Sequence, residues 1–392
     1  MLISQVDTRK VRQQMDVIDW NKQLVAICGS KGVGKTTLMH QYIRRNYGFN
    51  AGKALYCVLD SMYFINHSLL DVAEKFHEQG GMHLFLDEVH QYPTWSKEIK
   101  EIIDLWPDLK ITFTGSSLMP ILKSQADLSG RVVVYHMPGL SFREFIKFHK
   151  GKWLPRHPLK SILENADSIC KEVNELFEPS NPTNVFGLYL RAGYYPFYKA
   201  TAADYDSRLE DVVRGIIDQE IPQFCKVDPA YTRKLKAMLL YLCDNPPHKV
   251  NITKLAAYLE LNKNTVMSYL SCLERTELLH LLYADNKSVS RMQKPDRIYI
   301  HNPNILYALS SQRNIDTIRE CFVVNQLSTK HTVEYDKEQG GFKVDGEITF
   351  VMGGKDKSFQ QIANSPNSYI LADDIDFPIG KKLPIWLVGL IY

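Results

Sequence analysis

The chain has 392 residues, 45% of them hydrophobic and 23% charged, with a formal net charge of +3. At about 150 residues per domain, that length predicts on the order of two to four domains. The charge is too mild to argue for nucleic acid across the whole chain, and no apolar run reaches the roughly eighteen residues of a membrane span.

Residues 1–20 are polar and helix-compatible, without the basic and apolar regions of a signal peptide. Met15, Ile18 and Trp20 are expected to pack this leader onto the body that follows. Arg9, Lys10, Arg12 and Arg45 are expected on a solvated face. Gln23 to Cys28 is a short apolar run, the mark of a buried strand. Gly29-Ser30-Lys31-Gly32-Val33-Gly34-Lys35-Thr36 follows and fits G-x-x-x-x-G-K-[ST], the phosphate-binding loop of nucleotide triphosphatases. Thr36 and Thr37 then open a helix through Ile43. The glycines let backbone N–H groups turn inward, where side chains would block the phosphates. The helix N-terminus adds partial positive charge. Lys35 is expected at the β- and γ-phosphates, and the Thr36 hydroxyl at Mg²⁺.

Lys53 to Asp60 reads as a second strand, with Asp60 capping the next segment. Met82-His-Leu-Phe-Leu-Asp87-Glu88 is an apolar strand ending in two acids, the Walker B pattern. Asp87 would orient Mg²⁺, and Glu88 would polarise the attacking water as a general base. Ser96 to Leu105 is a helix with Ile99, Ile102, Ile103 and Leu105 on its apolar side. Lys110 to Ser117 is a further strand ending in small hydroxyl residues. In P-loop ATPases of the additional-strand class it lies between the strands of the two motifs, and Thr114 and Ser116 are candidates to face the γ-phosphate. Arg131, just before the strand Val132–His136, would meet the γ-phosphate in cis or across a subunit interface, or form a structural ion pair. Ser141 and Glu144 form a capping box for the next helix.

The order GSKGVGKTT, LFLDEVH, ITFTGSS, DLSGR, GLSFREF resembles bacterial and archaeal AAA-superfamily ATPases that carry a C-terminal domain of unknown function. The resemblance implies an α/β fold: an AAA-type P-loop core, a helical lid, a winged helix-turn-helix, and a C-terminal α/β domain similar to PD-(D/E)XK nucleases. The corresponding boundaries are 1–150, 151–228, 229–310 and 311–392. Gly130-Arg131 stands where close relatives often have two arginines.

Ser161 to Phe177 is an amphipathic helix. Tyr189 to Tyr198 resembles the family's lid turn, which makes Arg191 a candidate second arginine at the γ-phosphate. A helix through 205–225 is expected to stop at Ile221-Pro222. Residues 229–300 hold eleven Lys/Arg and six Asp/Glu, a net of +5. Three helices and a hairpin are expected there. Asn262, Lys263, Asn264, Thr265 and Ser268, with Lys287, Arg291 and Lys294 on the wing, would meet DNA, or the module would serve protein contacts. Near the C-terminus the family's F-E-V-G-G-K reads Phe350-Val351-Met352-Gly353-Gly354-Lys355, and a glycine stands where the preceding strand would carry aspartate. Lys355 and Glu320 remain, and Asp345 or Glu347 would be a substitute. A hard cation wants several oxygens, so a docking or structural domain is expected rather than a nuclease.

The seven cysteines, Cys28, Cys57, Cys170, Cys225, Cys243, Cys272 and Cys321, are widely spaced without C-x-x-C. They predict reduced thiols, no zinc site and a cytoplasmic protein. Together these features predict ATP and Mg²⁺ as cofactors, ATP hydrolysis driving a conformational switch, and DNA, a protein partner or a second copy as further partners. A DNA-associated scaffold with ATP as ligand and an ATP-gated nuclease effector are the alternatives.

Overall fold

The computed structural model describes residues 3–48, 52–115, 128, 130–178, 180–198, 201–245, 251–284, 294–312, 314–363 and 365–392. They fall into two compact units, Met1–Gly139 and Leu140–Tyr392.

The first unit is built on a five-stranded sheet: β1 (Leu24–Cys28), β2 (Ala54–Val58), β3 (His83–Asp87), β4 (Lys110–Gly115) and β5 (Val133–His136). All its strands run parallel, in the order β2-β3-β4-β1-β5. A parallel sheet is covered on both faces, which is why β1 and β3 read as near-continuous apolar runs and are buried at every position. Helices Lys35–Asn46, Leu69–Glu78 and Trp95–Leu105 connect the strands. Ile99, Ile102 and Ile103 of the last pack with Leu84, Leu86, Ile111 and Phe113. The order puts β4 between β1 and β3, as expected, so the carboxyl ends of these strands lie side by side. Ligands of open α/β sheets bind at that edge.

Met15, Ile18 and Trp20 are buried as expected, and Trp20 stacks on Tyr42 with ring centres 3.9 Å apart. Arg12 is a correction. It is not on a solvated face but only 4% exposed, because three backbone carbonyls converge on its guanidinium. Asp60 is exposed; the cap after β2 is Ser61, whose hydroxyl accepts from the Tyr63 N–H at 3.3 Å.

The second unit begins with helices Phe142–Lys150, Leu159–Phe177, Pro182–Ala192 and Ala202–Gly215. Ser141 caps the first, its hydroxyl accepting from the Glu144 N–H at 3.2 Å. Pro222 does not stop the helix before it. A π-turn, Ile216–Glu220, leads directly into the helix Ile221–Cys225, where the proline occupies the first turn. A first-turn residue needs no N–H partner within the helix, so proline is tolerated there. Helices Thr232–Asp244, Ile252–Leu259 and Lys263–Arg275 come next, then the antiparallel pair β6 (Leu279–Leu282) and β7 (Arg297–Ile300). Helices Pro303–Leu309 and Ile315–Ser328 precede a second sheet of β8 (Val333–Asp336), β9 (Gly341–Val344), β10 (Ile348–Gly353), β11 (Ser368–Ala372) and β12 (Lys382–Pro384). It is antiparallel from β8 to β10 and parallel from β10 to β12.

The helix Phe142–Lys150 lies in this unit. The reason is the final stretch of chain. Residues 385–392 are buried throughout. Arg143 Nε donates to the main-chain oxygen of Tyr392 at 3.1 Å, and Arg156 Nε to that of Ile391 at 2.7 Å. Gly389 lies so close to Phe142 that a Cβ there would stand 2.5 Å from the Phe142 Cβ. Among the described residues no helix is long and apolar enough to cross a membrane.

Candidate functional site

The loop after β1 turns back on itself through glycines. Gly32 and Gly34 hold φ of 86° and 101°, the left-handed region that side chains disfavour. Gly29 is required for a different reason: a Cβ there would lie 2.2 Å from the Met137 carbonyl oxygen, so the loop rests on the chain leaving β5. Ser30 and Val33 are buried, Lys31 is half-buried and Thr37 is exposed. Gly34 occupies the N-cap of the helix that Lys35 opens. Lys35 is 5% exposed, and its ammonium donates to the carbonyls of Gly29 at 2.7 Å and Ser30 at 2.9 Å. The lysine is thus folded over the loop it follows.

Asp87, at the end of β3, is buried and meets three hydroxyls. Thr36 and Tyr56 both donate to its Oδ2 at 2.7 Å, and Thr114 of β4 donates to its Oδ1. The Thr114 oxygen in turn accepts the Glu88 N–H at 3.1 Å. Glu88 sits at φ 55°, ψ 43°, a conformation that costs a non-glycine residue of order 1 kcal/mol and that gathers at functional sites. Its carboxylate lies 3.4 Å from His90 Nε2. Burial first, then the charges of Lys35 and Lys31, lower the pKa of His90 to about 4 against the pull of Asp87. The imidazole is therefore neutral near pH 7, and its approach to Glu88 is not an ion pair. Burial, then Asp87, raise the Tyr56 phenol and keep it a donor.

The loop, Lys35, Thr36, Asp87, Glu88 and Thr114 therefore come together at one sheet edge. Ser116 lies outside the described residues. Arg131 does not join them in its own chain. It pairs with Asp104 at 2.5 Å and precedes Val133, which sits opposite Val25 at the start of β1. That is the far edge of the sheet from the loop, so the reading in cis is corrected. Arg191, in the second unit, is held bidentately by Asp206 at 2.7 and 2.5 Å. Tyr56, His90 and Arg12 are neighbours the sequence reading missed. Tyr56 sits within an apolar strand, His90 in a turn and Arg12 in a polar leader, and none carries a local signal.

In the second unit, Lys263, Asn264, Ser268 and Lys294 are exposed. Asn262 is not available to a ligand in the same way, since its Oδ1 accepts the Thr265 N–H at 2.8 Å and caps the helix. Lys287 and Arg291 lie outside the described residues. Val351 is buried. Glu320 accepts from the Tyr299 hydroxyl at 3.0 Å, and burial raises its pKa. Asp345 contacts His331 Nδ1 at 2.6 Å and accepts the Thr332 N–H at 2.9 Å. Glu347 and Lys355 are exposed.

Residues 184–316 match a family described as a domain of unknown function, DUF8612. Two uncharacterized proteins of Methanocaldococcus jannaschii are similar in sequence. MJ1637 is 24% identical over 76% of this chain and 66% of its own length, so the chain spans less than two thirds of that relative. MJ1544 is 21% identical over 88% of this chain and 75% of its own length. Among solved structures, C. elegans PCH-2 matches at TM-score 0.24 and 20% identity, covering 38% of this chain and 42% of that one. The replication initiator DnaA bound to AMPPCP and single-stranded DNA matches at TM-score 0.29 and 16% identity, covering 68% and 86%. Residues 21–146 match a family described as an AAA domain, and this stretch of the chain is an AAA-type domain.

Proposed function

We propose that the first unit binds ATP with Mg²⁺ and hydrolyses it, and that the cycle switches the protein's conformation. The observation that carries this reading is the hydrogen-bonded set in which Thr36, one residue from Lys35, donates to Asp87, and Asp87 and Glu88 both engage Thr114. The loop fits a triphosphate: Gly32 and Gly34 hold left-handed conformations that side chains disfavour, and Lys35 folds back over the loop. A hydroxyl and a carboxylate at 2.7 Å fit Mg²⁺, a hard cation that takes few protein ligands and completes its shell with phosphate and water. When bound, the metal would neutralise charge on the phosphate oxygens. Lys35 and the N–H groups of Gly32 to Thr37 would hold the β- and γ-phosphates. Glu88 would take the proton of the attacking water, with neutral His90 beside it leaving the carboxylate charged. Thr114 would hold both acids in register. Arg131 is left as a residue for a second subunit's site, and Arg191 as a lid residue released from Asp206.

The test separates binding from chemistry. Lys35→Ala should lower affinity for a fluorescent ATP analogue. Glu88→Gln should keep that affinity and slow turnover by about 10²–10⁴-fold. Unchanged turnover in Glu88→Gln removes Glu88 from the mechanism.

A second reading concerns residues 229–310. Three helices followed by an antiparallel pair, with exposed Lys263, Asn264 and Ser268 on the third, support a winged helix that contacts DNA. We take the C-terminal sheet as a docking or structural domain. Val351 replaces one metal-binding carboxylate, Glu320 is bound to Tyr299, and Asp345 is engaged by His331.

A further inference from the structure

We propose that Arg12 couples the phosphate loop to the chain that enters the second unit, so that a bound nucleotide changes the mobility of Pro138 to Leu140. The inference rests on the nucleotide reading above and adds to it a residue and a route.

Arg12 is 4% exposed. Its Nη1 donates to the Val33 carbonyl at 2.8 Å, and its Nη2 to the carbonyls of Pro138 at 2.8 Å and Gly139 at 3.0 Å. Val33 lies inside the phosphate loop, between the two left-handed glycines. Pro138 and Gly139 are the last residues of the first unit, and Leu140 opens the second. One planar, rigid group therefore bridges the loop and the exit of the first unit. Guanidinium suits that task because its donors point in fixed directions.

Two further contacts tie the same partners. The Met137 N–H donates to the Cys28 carbonyl at 2.6 Å, and the Met137 oxygen lies against the Gly29 Cα. The leader just before Arg12 is anchored to the helix that follows the loop. Gln41 Nε2 donates to the carbonyls of Asp7 at 2.6 Å and Lys10 at 2.9 Å, and Arg44 Nη1 to that of Val6 at 2.5 Å. Loop, helix, leader and arginine form a closed circuit. A shift of the Val33 carbonyl as the loop tightens on phosphate must move the guanidinium, and the guanidinium holds Pro138 and Gly139. Arg12 is a positioning residue in this scheme, and it touches no substrate.

Hydrogen exchange in the full chain tests it, read at the amides of Gly139 and Leu140 with and without a saturating, slowly hydrolysed ATP analogue and Mg²⁺. In the native chain the analogue should slow exchange there by about tenfold. Arg12→Gln should bind the analogue within about tenfold of the native affinity, yet lose most of that slowing. Arg12→Lys keeps the charge but cannot span three carbonyls, and should lose part of it. Native slowing in either folded variant overturns the proposal, as does a native chain that binds the analogue with no slowing at these amides. A native chain that does not bind the analogue instead removes the nucleotide reading itself.

Discussion

The carboxylate of Asp87 takes hydrogen bonds from Thr36, Tyr56 and Thr114, which stand on the helix after the loop, on β2 and on β4. Tyr56 is the donor whose removal changes least else, because phenylalanine fills the same space. A hydrogen bond to a charged acceptor is worth about 1.5–3 kcal/mol, and a buried acceptor left short of a partner adds to the cost. Tyr56→Phe is therefore expected to destabilise the first unit by about 2 kcal/mol, seen as a lower urea midpoint at unchanged slope. An unmoved midpoint would mean that the phenol contributes nothing to Asp87. Lys35, Thr36 and Asp87 were legible in the sequence because a glycine loop between strand and helix, and an acid ending an apolar strand, are local patterns. Tyr56 and Arg12 were not. Tyr56 finds its partner 31 positions away, and Arg12 finds carbonyls 21, 126 and 127 positions away. One basic residue among several in a polar leader looks solvated until the fold brings those oxygens to it.

Elements were easier to read than their ends and allegiances. The five strands of the first sheet fall where apolar runs placed them, since strands of a parallel sheet are largely apolar. The helix Phe142–Lys150 packs on the last residues of the chain, and no local feature announces that. Pro222 misled for the opposite reason: it is a local breaker that a π-turn accommodates. The helix Lys263–Arg275 gives the test proper to this scale. Asn262 caps it, and Lys263, Asn264 and Ser268 stand exposed along its first turns. If this helix and the segment between β6 and β7 neutralise phosphates, replacing Lys263 and Arg291 together by alanine should weaken binding across DNA sequences. It should also reduce the slope of log affinity against log salt by about two. An unchanged slope would remove both side chains from any DNA contact and favour the protein-docking use of the module.

For the whole molecule, the buried histidines drive the loss of stability in weak acid, while the carboxyls of Glu320 and Asp373, raised by burial, act in the opposite sense. His83 is fully buried on β3, its ring nitrogens 3.0 Å from the Tyr47 hydroxyl and 2.9 Å from that of Thr112. Burial, then Lys110, lower its pKa to about 3, while His90 is lowered to about 4. In the second unit burial also lowers His157 and His280. Each of these groups has a folded pKa below its unfolded value of about 6.5. The unfolded chain therefore binds more protons between the two values, and stability rises with pH across that interval. The stabilisation is complete above about pH 6.5 and is lost as pH falls toward 4 for His90 and toward 3 for His83. Depressed carboxylates act lower down. Asp7, lowered to about 2 by its bonds with Arg9, loses its contribution only as pH falls below its ordinary 3.8. Between pH 7.5 and 5.0 the loss thus belongs to the imidazoles, at about 2 kcal/mol each for His83 and His90. Urea unfolding of the full chain should show it, in the transition that also moves in Tyr56→Phe. A midpoint for that transition that stays level from pH 7.5 to 5.0 would mean that these rings are protonated, or reached by water, in the folded unit.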